Sequence, residues 1–218
     1  MRRCAKLDLD VDPDMSMVSR SAYSANLTKG SLKPVETRRL ARLLQDGLSE
    51  SEVLSRVVAE NLLQKRAPST SRTLGAYLLK RLAACPGCVV EVVATGSHRE
   101  CVQGSLVAAL AESRLLRSFF EHTVAEARAS GRGYLSASDW SSFFDWLESV
   151  DPEVARWTPP VRSKLRQNIW RILAEAEMVE STRTLRLQAL RLEAAIRKCL
   201  ADPRLGGVER ALSAAGVA

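Results

Sequence analysis

Apolar residues recur every three or four positions through most of this chain, and Pro, Gly and short polar clusters interrupt them at intervals that suit helices. Between residues 53 and 63 the stripe runs Val53, Leu54, Val57, Val58, Leu62, Leu63, the spacing of one helical face. Repeated along the chain, that period leaves little room for a sheet. Aromatic residues make up only 5% of the 218, so the core must be built mainly from Leu, Val and Ala, and Ala and Leu are strong helix formers. The pattern predicts an all-α protein: an N-terminal helical bundle followed by a helical C-terminal unit with at most a short β-hairpin.

Punctuation sets the expected units. Residues 1–20 read as a flexible lead, 21–95 as an N-terminal helical domain, 96–200 as a C-terminal one, and 201–218 as a weakly ordered tail rich in Gly and Ala. Pro34 opens the first helix and Gly47 closes it, with Val35, Leu40, Leu43 and Leu44 as its apolar positions. Ser49 with Glu52 forms a capping box for the second. Pro68 is expected to stop that helix, and Ser69 or Ser71 to cap a third that turns Leu74, Tyr77, Leu78 and Leu82 inward. Val89–Ala94 reads as strand or helix. One long helix is expected over 105–129, and another, starting at the Ser-Ala-Ser-Asp run before Trp140, carries Phe143, Phe144 and Leu147. A helix over 161–179, a strand-like stretch over 182–187 and a helix over 189–200 complete the series. Helix, helix and strand-like turnback is the order of a winged-helix module, although a plain helical bundle fits the same pattern.

Charge narrows the function. Formal net charge is +7, and 25 of the 32 basic residues are Arg. Residues 29–81 hold 11 basic and 5 acidic residues, and residues 161–198 hold 9 and 4, whereas 96–160 hold 6 and 9. Two basic blocks around an acidic middle suit a polyanion binder, although solvated helix faces give a similar pattern. The candidate contacts are Arg38, Arg39, Arg42, Lys65, Arg66 and Arg72 in the first block. The second supplies Arg162, Lys164, Arg166 and Arg171, with Arg183 and Arg186 on the turnback and Thr158 as a helix cap suited to phosphate. No aromatic-rich strand offers a stacking platform for unpaired bases, which favours duplex.

Catalytic signals are weak. The glycines form no phosphate-binding loop, and neither His98 nor His122 has a nucleophile partner in sequence; no enzymatic activity and no cofactor are expected. Cys85-x-x-Cys88 followed by His98-x-x-Cys101 has the paired spacing of a zinc site, but the intervening segment is apolar and buried free thiols are the expected state. No secretory leader or membrane-length apolar run is evident, so a cytoplasmic protein is expected.

The stretches Tyr23-Ser-Ala-Asn-Leu-Thr-Lys-Gly30, Glu36-Thr37, Glu60-Asn-Leu-Leu-Gln-Lys-Arg66, Ser69-Thr70 and Lys80-Arg81-Leu82 together resemble the BrxA family of BREX phage-defence systems. Residues 113–120, Asp139-Trp140, and Trp157-Thr158 with the helix after it match more loosely. The resemblance implies a mainly helical fold likened to NusB-type nucleic-acid-binding proteins. It also implies an accessory subunit that binds double-stranded DNA beside other BREX components. A protein–protein adaptor within the defence complex and an RNA-binding module are the alternative functions.

Overall fold

A computed structural model describes residues 22–217; the expected flexible lead lies outside the described residues. After a 3-10 turn, Ala25–Lys29, come α1 (Pro34–Gln45), α2 (Glu50–Ala59), α3 (Pro68–Ala83), α4 (Gly87–Thr95) and α5 (His98–Glu112). Then follow α6 (Arg114–Ser118), a π turn (Phe119–Val124), α7 (Ala125–Ala129), α8 (Ala137–Val150), a 3-10 turn (Pro152–Arg156), α9 (Pro159–Glu175), α10 (Ala194–Leu200) and α11 (Gly206–Ala214). Among the described residues β structure is limited to two isolated antiparallel bridges, Tyr134 to Arg186 and Val179 to Leu187. The protein is all-α.

Capping chemistry accounts for many of the boundaries. Pro34 sits in the first turn of α1, and Gly47, just past its end, takes φ +88°, which suits a residue without Cβ. Ser49 and Glu52 form the expected capping box of α2, and two further boxes, Ser97 with Glu100 and Ser136 with Asp139, start α5 and α8. Pro68 corrects the expectation: it opens α3 with Ala67 as N-cap. Helix α2 has already ended at Ala59, where Asn61 and Gln64 turn the chain through positive φ.

Three segments differ from the sequence expectation, and a fourth, read as strand or helix, takes the second form. Residues 89–94 are helical, because Val89, Val93 and Ala94 are buried where α4 packs between α1 and α5. Gly104 makes that packing close, since a Cβ there would lie 2.6 Å from a Val93 methyl. The long helix begins at His98, breaks at Ser113 and passes through the π turn. The helix expected over 189–200 forms only from Ala194, because residues 188–193 have no regular structure. The 201–218 segment contains α11, whose Val208, Ala211 and Leu212 are buried against α5 and the π turn.

One buried apolar cluster runs from Tyr23 to Val217 through both halves. Phe119 at the start of the π turn meets Phe143 and Trp170 edge-on, at ring distances of 5.1 and 5.5 Å. Inside the cluster lies a polar knot. Arg81, 1% exposed, donates to the Ser31 carbonyl at 2.7 Å and to the Tyr77 hydroxyl, which in turn donates to the Gly30 carbonyl. The Glu175 carboxylate, at the end of α9, accepts from the Ser31 hydroxyl at 2.7 Å and the Leu32 amide at 2.8 Å, and Asn168 donates to the Leu27 carbonyl. The first 3-10 turn is thereby fastened to α9.

Candidate nucleic-acid interface

Three arginines of α1 each donate into the fold, although Arg42 is exposed. Arg38 donates to the carbonyls of Val93 (3.1 Å), Gly96 (2.7 Å) and Ser97, and Arg42 to that of Ala94 (3.1 Å). These are the last carbonyls of α4 and the loop beyond it, left without partners at a helix C-terminus. Two guanidinium forks complete that end and sit at its negative pole. Arg39 donates to the Leu62 carbonyl in the turn after α2. Arg38 makes three of these bonds and Arg39 and Arg42 one each, so the fold engages all three side chains in part while Arg42 remains exposed.

The rest of the first block behaves differently. Lys65 pairs with Glu36 at 3.1 Å. That pairing, with the Glu36 amide, holds the Glu36 carboxyl below its usual range although burial works to raise it. Arg66 and Arg72 are exposed and make no hydrogen bond or ion pair among the described residues. Nearby is a cavity of about 330 Å³ lined by Lys29, Lys33, Lys65, Ser69, Thr70 and Thr73. It lies at the first turn of α3, where N–H groups and hydroxyls favour anions. Sequence reading missed Lys29 and Lys33, which belong to the 3-10 turn and its exit, because only the folded chain brings them beside α3.

In the second block, Thr158 occupies the N-cap of α9 but its side chain makes no capping hydrogen bond. Arg162 is committed: it donates to the Trp157 carbonyl at 2.8 Å, pairs with Glu148 at 2.6 Å and lies 4.5 Å over the Phe144 ring. Lys164, Arg166 and Arg171 make no hydrogen bond or ion pair among the described residues. Lys164 and Arg171, seven apart on one helix, are exposed, and Arg166 is half-buried. Arg183 is likewise exposed at the tip of the turnback, and Arg186 is exposed and lies 3.8 Å from the Glu180 carboxylate. Tyr134, 56% exposed and bridged to Arg186, stands beside them. The strand-like stretch supplies only isolated bridges, so the turnback is a loop pinned at two points.

The cysteines separate. The Cys101 thiol donates to the Pro34 carbonyl at 3.4 Å, while Cys88 approaches Cys199 of α10. Burial first, and then the neighbouring Cys88, push the Cys85 thiol up to about 12. The four residues of the zinc spacing are therefore not gathered; among the described residues no group of three or more His, Cys, Asp and Glu side chains is placed to hold a metal. His122 is exposed, its ring tilted against Trp146 at 4.0 Å. Among the described residues no helix is long and apolar enough to cross a membrane.

The family described as BrxA matches residues 21–203. A relative named BREX protein BrxA from Paramagnetospirillum magneticum is 28% identical over 180 residues, covering 83% of this chain and 90% of its own. A protein of the same name from Escherichia coli O9:H4 is 28% identical over 171 residues, 78% of this chain and 80% of its own. A crystal structure of an uncharacterized protein from Magnetospirillum magneticum superposes with TM-score 0.78 at 26% identity, covering 87% of this chain and 97% of that one.

Proposed function

Because the chain belongs to the BrxA family, we propose that it is a non-enzymatic accessory subunit of a BREX-type phage-defence system that binds double-stranded DNA. The observation that carries this reading is the set of surface cations without internal partners: Arg66 and Arg72 at the α3 end, and Lys164, Arg166, Arg171 and Arg183 on α9 and the turnback. A charge kept in water, with no carboxylate beside it, is available to replace the counterions of a phosphate backbone. Arg suits this role because its fork reaches phosphate oxygens in pairs. The α9 helix and the turnback act as the principal contact, with Tyr134 offering a hydroxyl next to Arg186. The lysine-lined cavity at the start of α3 is the second contact. Fastening the first 3-10 turn to α9 through Asn168 and Glu175 holds Lys29 and Lys33 in a fixed relation to that helix.

A gel shift with duplex DNA across a salt series tests the proposal. Binding is expected at low salt and should weaken steeply as salt rises, with a slope set by the number of phosphates contacted. No binding at low salt would overturn it and leave the protein–protein adaptor as the better account.

A further inference from the structure

The middle of the sequence carries net negative charge, yet the fold gathers three arginines from it and from the C-terminal segment around one cavity. Arg114 and Arg117 of α6 and Arg210 of α11 line a cavity of about 320 Å³, with Glu121 and His122 of the π turn on its wall. None of the three arginines forms an ion pair among the described residues. Arg117 is tied down by donating to the Leu110 and Ala111 carbonyls at the end of α5. Burial lowers its proton affinity, Glu121 opposes it next in size, and the Arg114 and Arg210 charges add to the lowering against a smaller pull from Glu112. Like charges held together this way are unfavourable until an anion enters. Gly207, in the first turn of α11, lines the same cavity beside both Arg117 and Arg210, and the helix start has no side-chain cap.

We propose that this cavity is a phosphate-binding site, separate from the cations assigned to duplex DNA above, that takes the mono- or diphosphate group of a nucleotide or nucleic-acid end. Three guanidinium groups, with Glu121 on the wall and Glu112 farther off, leave a local excess of positive charge that attracts a phosphate group. The Gly206 amide is already used by the Pro203 carbonyl, so the helix start contributes mainly through its positive dipole end. The tilted His122–Trp146 pair, with ring centres 4.0 Å apart, lines both this cavity and a larger one of about 850 Å³. A ligand longer than pyrophosphate therefore has room to continue past an aromatic wall. The π turn that presents His122 is a local irregularity of the kind found at functional sites.

The test is calorimetric titration of the full chain with inorganic pyrophosphate. Arg114→Glu combined with Arg210→Glu removes two of the three cations without touching the Arg117 hydrogen bonds to α5, and Arg197→Glu, on exposed α10 surface, makes the same kind of charge change elsewhere. Saturable binding that falls at least about tenfold in the double variant and not in Arg197→Glu supports the proposal. If 5′-phosphorylated duplex DNA displaces the pyrophosphate, the site receives a nucleic-acid phosphate; if both bind at once, it serves a free nucleotide. No saturable binding by the wild-type chain, or equal binding by the double variant at retained melting temperature, would overturn the proposal. A chain that binds no duplex but still binds pyrophosphate would sink the function proposed above and leave this one standing.

Discussion

Arg38, Arg39 and Arg42 on α1 and Lys164, Arg166 and Arg171 on α9 are both cation triplets within a turn or two of helix, and they end in different employment. Arg38 and Arg42 lie across the unfinished end of α4, where Gly96 supplies no left-handed closing turn and the carbonyls of Val93, Ala94 and Gly96 need donors, while Arg39 serves the Leu62 carbonyl after α2. The α9 set has no helix end beneath it and stays at the surface. Charge density in a sequence therefore marks where cations are, while the neighbouring backbone decides whether they are spent on the fold. Arg162 shows the rule within α9 itself. It starts the helix beside the carbonyls of Ala155 and Trp157, and is consumed by them and by Glu148.

That contrast can be broken by substitution, and Arg81 gives the largest expected effect. Replacing it with Leu leaves the Ser31 carbonyl and Tyr77 hydroxyl without their buried donor, at a cost of about 3 kcal/mol or more, read as a fall in denaturant midpoint. Next, Arg38→Ala and Arg42→Ala are each expected to cost about 1–3 kcal/mol by freeing carbonyls at the α4 end, without changing how DNA binding responds to salt. Asp139 sharpens the structural side at smaller scale. Burial works to raise its carboxyl, but the Ser136 and Arg132 hydrogen bonds prevail and hold it low. Its contribution is thus present above the ordinary carboxylate range and lost as pH falls through the depressed value. Asp139→Asn should remove about 1 kcal/mol at neutral pH and flatten the acid limb of the stability profile. The smallest stability effect belongs to Lys164→Ala and Arg171→Ala, within about 0.5 kcal/mol.

What was legible in the sequence was local. Pro34, Gly47 and the Ser49–Glu52 box act within a few residues, so their chemistry is visible without the fold. Val89–Ala94 was not, because β-branched residues favour strands until packing between α1 and α5 overrides them. In the last segment Leu205, Val208, Ala211, Leu212 and Ala215 do recur at helical spacing, but the glycines at its start and the small residues around it mask the signal. Site residues were the least legible. Arg38 and Arg166 look alike as letters, and Lys29, Lys33 and the Arg114–Arg117–Arg210 grouping depend on how distant elements pack together. The stretches that carry the family resemblance lie largely on the fold's own joints: Leu27 is buried, Gly30 accepts from Tyr77 and Arg81 holds Ser31.

The most direct test compares the salt dependence of duplex-DNA binding in the wild-type chain, in Arg166→Ala/Arg171→Ala and in Arg38→Ala/Arg42→Ala, each at a temperature where all three are folded. Affinity should fall, and the salt slope should shrink by roughly 0.9 for each phosphate no longer neutralised, in the α9 variant alone. A slope unchanged in the α9 variant and reduced in the α1 variant would contradict the account.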